Sequence, residues 1–159
     1  MTVHLGTQGW SYKSWDGVFY PAGTPAGSYL AEYAQKLSAV EIDSTFYAAP
    51  RPSVVAQWNE VTPDHFRFTA KFPQAITHEK MLKDAGQDVS HFLDAIGKLG
   101  KKLGPLLLQF PYTFKPDQKN RLDDFLAALP DGFRYAVEIR QRGWLQDWFF
   151  DMLARHRTA

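Results

Sequence analysis

The chain has 159 residues, a formal net charge of +1 at pH 7 and no cysteine. The balanced charge gives no global field that would attract nucleic acid or an anionic membrane, and the lack of cysteine excludes disulfides and thiolate metal sites. No apolar run approaches the ~20 residues of a membrane helix, and the first residues show no basic-then-apolar leader. We therefore expect a cytoplasmic protein.

Five short strands are predicted, and each is followed by a segment with helical spacing of its apolar residues. Within the strands, apolar and polar side chains alternate, which is typical of a strand with two different faces. The predicted strands span residues 3–8, 39–45, 66–71, 105–109 and 133–140.

The intervening segments predict five helices. Leu30, Tyr33, Ala34 and Leu37 form an i, i+3, i+4, i+7 stripe in the first of them. Ser28 and Ser53 are expected to cap the first two helices, and Gly100 to stop the third. The five helices are predicted to begin near residues 28, 53, 88, 115 and 143.

This strict alternation predicts a parallel sheet with right-handed crossovers. An open doubly wound sheet is disfavoured, because strands covered on both faces are nearly continuous hydrophobic runs. A barrel instead turns one strand face toward helices and the other toward a lumen. A complete (β/α)8 barrel needs eight units and roughly 250 residues. We therefore predict an α/β fold, a partial parallel TIM-type barrel of about five βα units, as a single domain over residues 1–159.

Two similar phrases, Ala39-Val40-Glu41-Ile42-Asp43 and Ala136-Val137-Glu138-Ile139-Arg140, place carboxylates on the predicted lumen face. An unpaired buried charge is very costly, so Glu41 and Glu138 are predicted to form structural ion pairs with the nearby cations Lys71 and Arg140. The two glutamates are expected one step below the strand ends. Such a network is either inert scaffold or support for a site, and the small net stability of buried pairs favours the second reading.

A functional site is expected at the carboxyl ends of the strands. His78 follows the third strand and is the best candidate for a general acid or base, since its ordinary pKa lies near neutrality. The predicted catalytic residues are His78, Lys71, Glu138 and Arg140. The predicted substrate-binding residues are Trp10, Tyr12, Asp43, Tyr47, Gln109 and Trp144, although the aromatic members also suit a hydrophobic closure of the barrel.

Other site chemistries receive less support from the residues. Glu41 and Glu138 resemble a glycosidase pair, but that interpretation depends on their separation. Hard oxygen ligands for Mg²⁺ or Mn²⁺ are present, yet no close ligand spacing supports them, so we predict no metal and no cofactor. His4 is predicted to lie in the core. The residues predicted to be solvated on the surface are His65, His91, His156, Lys98, Lys101 and Lys102.

Five ordered motifs are similar to the YecE-like family, domain of unknown function seventy-two. They are Gly9-Trp10 with Trp15, Val40 to Tyr47, Lys71-Phe72-Pro73 with His78, Gln109-Phe110-Pro111, and Val137 to Arg140 with Trp144. The resemblance implies a TIM-type barrel of which this chain is the first five units, without the C-terminal three. It implies no established reaction. Asp43 and Gln141 depart from the family pattern, which more often has Asn and His there.

Three functional hypotheses remain open from the sequence. The first is an enzyme or ligand-binding barrel that takes a small anionic or sugar-like ligand over Lys71, Gln109 and Arg140. The second is a nucleic-acid-processing or nucleic-acid-binding barrel, which the near-neutral charge disfavours. The third is a catalytically inactive truncated barrel, whose first and fifth strands are open edges that favour self-association.

Overall fold

The computed structural model describes residues 3–159, in which strands and helices alternate throughout. The five strands, β1 to β5, span Gly6–Gln8, Ala39–Ile42, Arg67–Lys71, Leu103–Gln109 and Tyr135–Glu138. The five α-helices of this part of the chain, α1 to α5, span Tyr29–Lys36, Pro52–Val61, Gly86–Ile96, Lys119–Ala128 and Asp147–Arg155. None of them is long and apolar enough to cross a bilayer.

The strands form one parallel sheet in the order β1-β2-β3-β4-β5. Spatial order therefore follows chain order, as in a barrel wall. A doubly wound sheet would instead reverse its strand order at a switch point. The α/β fold and the partial TIM-type barrel predicted from the alternation are confirmed.

The predicted alternation of faces is visible in the burial of the strands. Val40 and Ile42 of β2 are buried beneath the helices, and so are Phe68 and Ala70 of β3. The residues between them, including Glu41, are only half-buried and face the concave side of the sheet. The concave side therefore carries the polar residues, and the core lies between the sheet and the helices.

The strand register changes the expected depth of one glutamate. Gln8 lies opposite Glu41, which lies opposite Thr69 of β3. Gln109 lies opposite Glu138, and both residues end their strands. The expectation that Glu138 lies one step below Gln109 is therefore wrong, because the register between neighbouring strands shifts along the sheet.

The edge strand β1 is shorter than the predicted strand. It spans three residues, and Leu5 before it is 69% exposed. Among residues 3–159, β1 pairs on one side only, with β2, so no second neighbour extends its ladder in this part of the chain. His4 is exposed as well, which contradicts its predicted place in the core. Self-association through the free edge of β1 stays a prediction.

The opposite edge, along β5, is partly covered by the end of the chain. The Ala159 N–H donates to the Tyr135 carbonyl at 3.1 Å, and the Val137 N–H donates to the Ala159 carbonyl at 2.8 Å. This is the bonding pattern of a parallel neighbour. The prediction that β5 is an open edge is therefore wrong at its centre.

Several element boundaries differ from the predicted ones for local reasons. Pro52 starts α2 with its fixed φ, so Ser53 lies inside that helix and does not cap it. Gly100 was predicted to stop the third helix, but α3 ends at Ile96; Gly100 follows in a short 3₁₀ segment with φ +54, a conformation that glycine adopts easily. Residues Ala75–Glu79, predicted as a loop, form a π-helical turn. Single π turns are frequently found at functional sites.

Candidate functional site

The carboxyl ends of β2 and β3 bring Glu41 and Lys71 together. Lys71 Nζ lies 3.3 Å from Glu41 Oε1, and the two side chains are 12% and 26% exposed. Lys71 is two residues further along β3 than Thr69, the direct neighbour of Glu41, and so lies on the same face; the pair is therefore diagonal. The pairing of Glu41 with Lys71 has the geometry that the sequence predicted.

Glu138 accepts contacts from two predicted site residues at once. Gln109 Nε2 donates to Glu138 Oε2 at 2.8 Å, and Arg140 Nε donates to Glu138 Oε1 at 3.4 Å. Both side chains of the Arg140–Glu138 pair are close to half exposed. An exposed ion pair of this kind contributes little to stability. The same exposure leaves the Arg140 guanidinium accessible just beyond the end of β5.

His78 lies beside this group on the π-helical turn. Its Nδ1 shares a hydrogen bond of 2.8 Å with the hydroxyl of Thr77, which is fully buried. The ring meets Phe46 edge to face at a centroid distance of 5.0 Å. Burial, and secondly the positive charge of Arg140, lower the pKa of His78 from its ordinary 6.5. The imidazole is therefore neutral at pH 7 and able to accept a proton.

The lowered pKa of His78 predicts a pH dependence of stability. Below pH 6.5 the unfolded chain takes up a proton at this position while the folded protein resists it, so the free energy of unfolding falls as the pH drops through 6.5. Above that pH the contribution is fully present. Chemical denaturation at a series of pH values should show a shallower fall for H78Q. The matched control H91Q, at an exposed histidine, should keep the wild-type slope; equal slopes for H78Q and wild type would contradict the assignment.

Asp43 and Tyr12 meet at the far side of the site, over Gly9. Gly9 has φ +69, and a Cβ there would lie 2.8 Å from the Tyr12 hydroxyl and 3.1 Å from Asp43 Oδ2. Tyr12 donates its hydroxyl hydrogen to the Gln8 carbonyl at 2.6 Å. Burial, with a smaller effect of the Asp43 charge, raises the pKa of Tyr12. Glycine suits this position because its φ lies in the left-handed region that other residues rarely adopt, and because a Cβ would press on the ends of both side chains.

The predicted aromatic contacts divide into two groups. Tyr47 is 74% exposed and lies in the segment after β2, where its ring meets Phe46 edge to face at 5.5 Å. Most of its surface is therefore available for a ligand to stack on. Trp10 is half-buried and meets Trp58 at 5.5 Å, edge to face. Trp144 is fully buried, and its indole N–H donates to the Phe114 carbonyl at 2.8 Å. The prediction that Trp144 binds substrate is therefore wrong, because both its ring and its donor are used inside the core.

The strand ends border a small cavity. It has a volume of about 250 Å³ and lies beside Tyr47 and Pro73. A groove of about 910 Å³ lies elsewhere, between α3 and α4. Within residues 3–159 no three His, Asp or Glu side chains converge as metal ligands do. Glu41, Asp43, Glu138 and His78 are thus not gathered into one metal-binding cluster.

One family model matches almost the whole chain. The family model described as "Protein of unknown function DUF72" matches residues 4–159. The chain belongs to the DUF72 family. The resemblance predicted from the five motifs is confirmed.

Two curated proteins show how much of a DUF72 relative this chain represents. The UPF0759 protein YecE of Escherichia coli strain K12 is 37% identical over 138 residues, which cover 87% of this chain and 48% of YecE. The UPF0759 protein YunF of Bacillus subtilis strain 168 is 25% identical over 164 residues, covering 94% of this chain and 54% of YunF. The chain therefore spans about half the length of these relatives.

Crystal structures of DUF72 family proteins have the same fold. The protein from Enterococcus faecalis V583 superposes with a TM-score of 0.81 at 25% identity, over 99% of this chain and 59% of that one. The protein from Thermotoga maritima MSB8 gives a TM-score of 0.81 at 29% identity, over 99% and 63%. Neither name states a reaction. These two structures therefore establish the fold of this DUF72 chain and no activity.

Sequence reasoning missed one cluster of charged residues in this DUF72 chain. His156 was predicted to be an isolated surface residue, but its Nε2 lies 2.5 Å from Asp123 Oδ1. Arg155 Nη2 also contacts Asp123, at 2.9 Å from each carboxylate oxygen. The cations lower the pKa of Asp123, the hydrogen bond from His156 most of all. No local spacing could have predicted this contact, because its two sides are more than thirty residues apart.

Proposed function

We propose that this chain forms one wall of a barrel enzyme or ligand-binding barrel that takes a small sugar-like or anionic ligand at the carboxyl ends of its strands. One observation carries the proposal. Gln109, Glu138 and Arg140 form a continuous hydrogen-bonded row at the strand ends, and His78 lies close enough for Arg140 to lower its pKa. Polar groups converging on the concave end of parallel strands are the usual setting of a barrel site.

The charged side chains near the carboxyl ends of the strands favour a sugar-like ligand over a strongly anionic one. Glu41, Asp43 and Glu138 supply three carboxylates, against the two cations Lys71 and Arg140. Both cations already contact a carboxylate. An anion would have to compete with Glu41 or Glu138 for them, whereas hydroxyl groups could donate to the carboxylates and accept from the cations without displacing either.

The individual roles follow from the environment of each side chain. Neutral His78 is proposed as the proton acceptor, because a base must be unprotonated at the working pH. Arg140 is proposed to bind a ligand oxygen, since its guanidinium has donors beyond the Nε that Glu138 accepts. Lys71 is proposed to orient the ligand from its fixed position against Glu41. Exposed Tyr47 is proposed to stack on the apolar face of a sugar ring.

A thermal-shift panel on the protein tests this proposal. The probes are glucose, gluconate, glucose 6-phosphate, succinate and inorganic phosphate. We expect the sugar-like probes to raise Tm, and R140Q to lose that rise while remaining folded, because Arg140 is half exposed. The control K101Q changes an exposed lysine just before the start of β4, at the opposite end of the sheet from the proposed site. This variant should keep the rise in Tm. No stabilisation by any probe would contradict the proposal, and so would a rise that R140Q leaves intact.

A further inference from the structure

A second binding site is suggested by the groove between α3 and α4, on the outer layer of the barrel. The groove has a volume of about 910 Å³, within the range of cavities that hold small molecules. Its walls are the facing sides of the two helices, where Val89 and Leu93 are buried in the core. Phe125, Leu129 and Phe133 also line the groove and are only half-buried. In a barrel, neighbouring outer helices normally pack together and bury such residues against one another, so this gap leaves part of the apolar surface of these three side chains open to solvent.

Both ends of the groove are closed by contacts between its walls. At one end Arg121 Nη1 of α4 donates to the carbonyl of Met81, in the turn before α3, at 3.4 Å. At the other end the Phe133 ring lies against Gly97, 3.5 Å from where a Cβ would stand. A helix of a partner protein needs an open channel, since its backbone continues beyond the contact. The closed ends therefore favour a compact ligand over a docked helix.

The turn at the first end holds an unusual backbone conformation. Met81, Leu82 and Asp84 have φ angles of 45°, 70° and 48°, although none of them is glycine. This left-handed region is sterically unfavourable for a residue with a side chain. Leu82 is nevertheless buried and lines the groove, and Asp84 stands at its rim. The strained turn thus fixes one apolar and one charged group at the mouth, and strain of this kind clusters at ligand-binding sites.

The charges at the rim define the ligand further. Three carboxylates line the groove, from Asp84, Asp94 and Asp124, against the single guanidinium of Arg121. That guanidinium is hydrogen-bonded to Gln118 Oε1 at 2.8 Å. None of the three aspartates has an ion-pair partner within 4.0 Å among residues 3–159. The rim is therefore negative, with carboxylates available to a cation.

We propose that the groove between α3 and α4 binds a small amphiphile with an apolar body and one cationic amine. The apolar body covers Phe125, Leu129 and Phe133, and the ammonium lies among the rim aspartates. This site is separate from the strand-end site, because it lies on the outer surfaces of the helices and not on the concave face of the sheet.

Three probes with one body and different head groups test the proposal by isothermal titration calorimetry: 4-phenylbutylamine, 4-phenylbutan-1-ol and 4-phenylbutyrate. We expect the amine to bind about two- to fivefold more tightly than the alcohol, and the acid to bind most weakly. The double variant D94N/D124N should remove the advantage of the amine and leave the affinity for the alcohol unchanged. Equal affinities of the three probes for the wild-type protein would overturn the assignment of a cationic ligand.

A second variant tests the location. Ala128 is exposed on α4 and lines the groove, so A128W should fill the space without disturbing the core and abolish binding of all three probes. An unchanged affinity in A128W would overturn the proposed site. Binding of a Lys/Leu amphipathic peptide together with no binding of any small probe would also overturn it, in favour of a helix-docking surface. Failure of the strand-end proposal leaves these outcomes unaffected, because R140Q does not alter the groove.

Discussion

Replacing Trp144 with alanine is expected to lower the free energy of unfolding by about 3–5 kcal/mol, the range for removing a large buried aromatic side chain. Trp144 is 0% exposed and stacks on Phe114, with a centroid distance of 5.1 Å and an interplanar angle of 7°. Phe114 in turn stacks on Phe110 at 4.2 Å. The substitution removes one end of this stack and the hydrogen bond from the indole N–H to the Phe114 carbonyl. Urea denaturation followed by circular dichroism measures the loss.

The matched control for W144A is L145A, at the next residue. Leu145 is exposed, so its truncation should change the free energy of unfolding by no more than about 0.5 kcal/mol. The intermediate variant W144F keeps a ring but loses the N–H donor, and should fall between the two. If W144A were as stable as L145A but failed to bind a ligand, Trp144 would belong to the binding site after all, contrary to its burial in the structure.

Replacing Lys102 with methionine should cost about 1.5–3 kcal/mol, because hydrogen bonds to a charged group are lost inside the protein. Lys102 is 7% exposed. Its Nζ donates to the carbonyls of Asn59 and Thr62, at 2.5 and 2.6 Å, where α2 ends. The last carbonyls of a helix have no partner within the helix. Methionine keeps most of the volume but leaves these two carbonyls buried without a donor.

The control for K102M is K101M, at the neighbouring exposed lysine. This variant should remain within about 0.5 kcal/mol of the wild type. Thermal and urea denaturation of the three proteins, at one pH and one salt concentration, compare them directly. Equal losses in K101M and K102M would mean that the two lysines act only through surface charge and that Lys102 does not cap α2.

The pattern within each strand was enough to predict the fold. Val40 and Ile42 alternate with Glu41, and this alternation placed the apolar pair under the helices and the carboxylate on the concave face, as the structure does. Such a pattern survives because side chains of a strand must point to opposite faces. The strand ends were harder to predict. Whether β1 starts at Val3 or Gly6 depends on its neighbours in the sheet, and the local sequence does not specify them.

Contacts between distant segments could not be predicted in the same way. Lys102 was read as a solvated residue because its neighbours Lys98 and Lys101 are charged, yet its ammonium reaches a helix about forty residues earlier. The contact of His156 with Asp123 likewise joins α5 to α4. Nothing in the spacing along the chain marks these pairs. They arise because the barrel brings neighbouring helices side by side, and only the three-dimensional arrangement shows which polar groups then meet.

The candidate site was predicted where the strands themselves carry it. Glu41 with Lys71, and Glu138 with Gln109, follow from placing parallel strands side by side. The aromatic residues were ambiguous, because a tryptophan after a strand can either stack on a ligand or close the core. Burial separates the two roles. Trp144 closes the core, and Tyr47 is left as the exposed aromatic side chain proposed to meet a ligand.

Amide chemical-shift mapping tests for a ligand site at the carboxyl ends of the strands. The ¹⁵N-labelled protein is titrated with glucose and with gluconate. We predict saturable shifts confined to residues 41–47, 71–78, 109–112 and 138–142, which end β2, β3, β4 and β5, and their loss in R140Q. Shifts confined to the opposite ends of the strands or to α3 and α4, or shifts that persist unchanged in R140Q, would contradict a ligand site at the carboxyl ends of the strands.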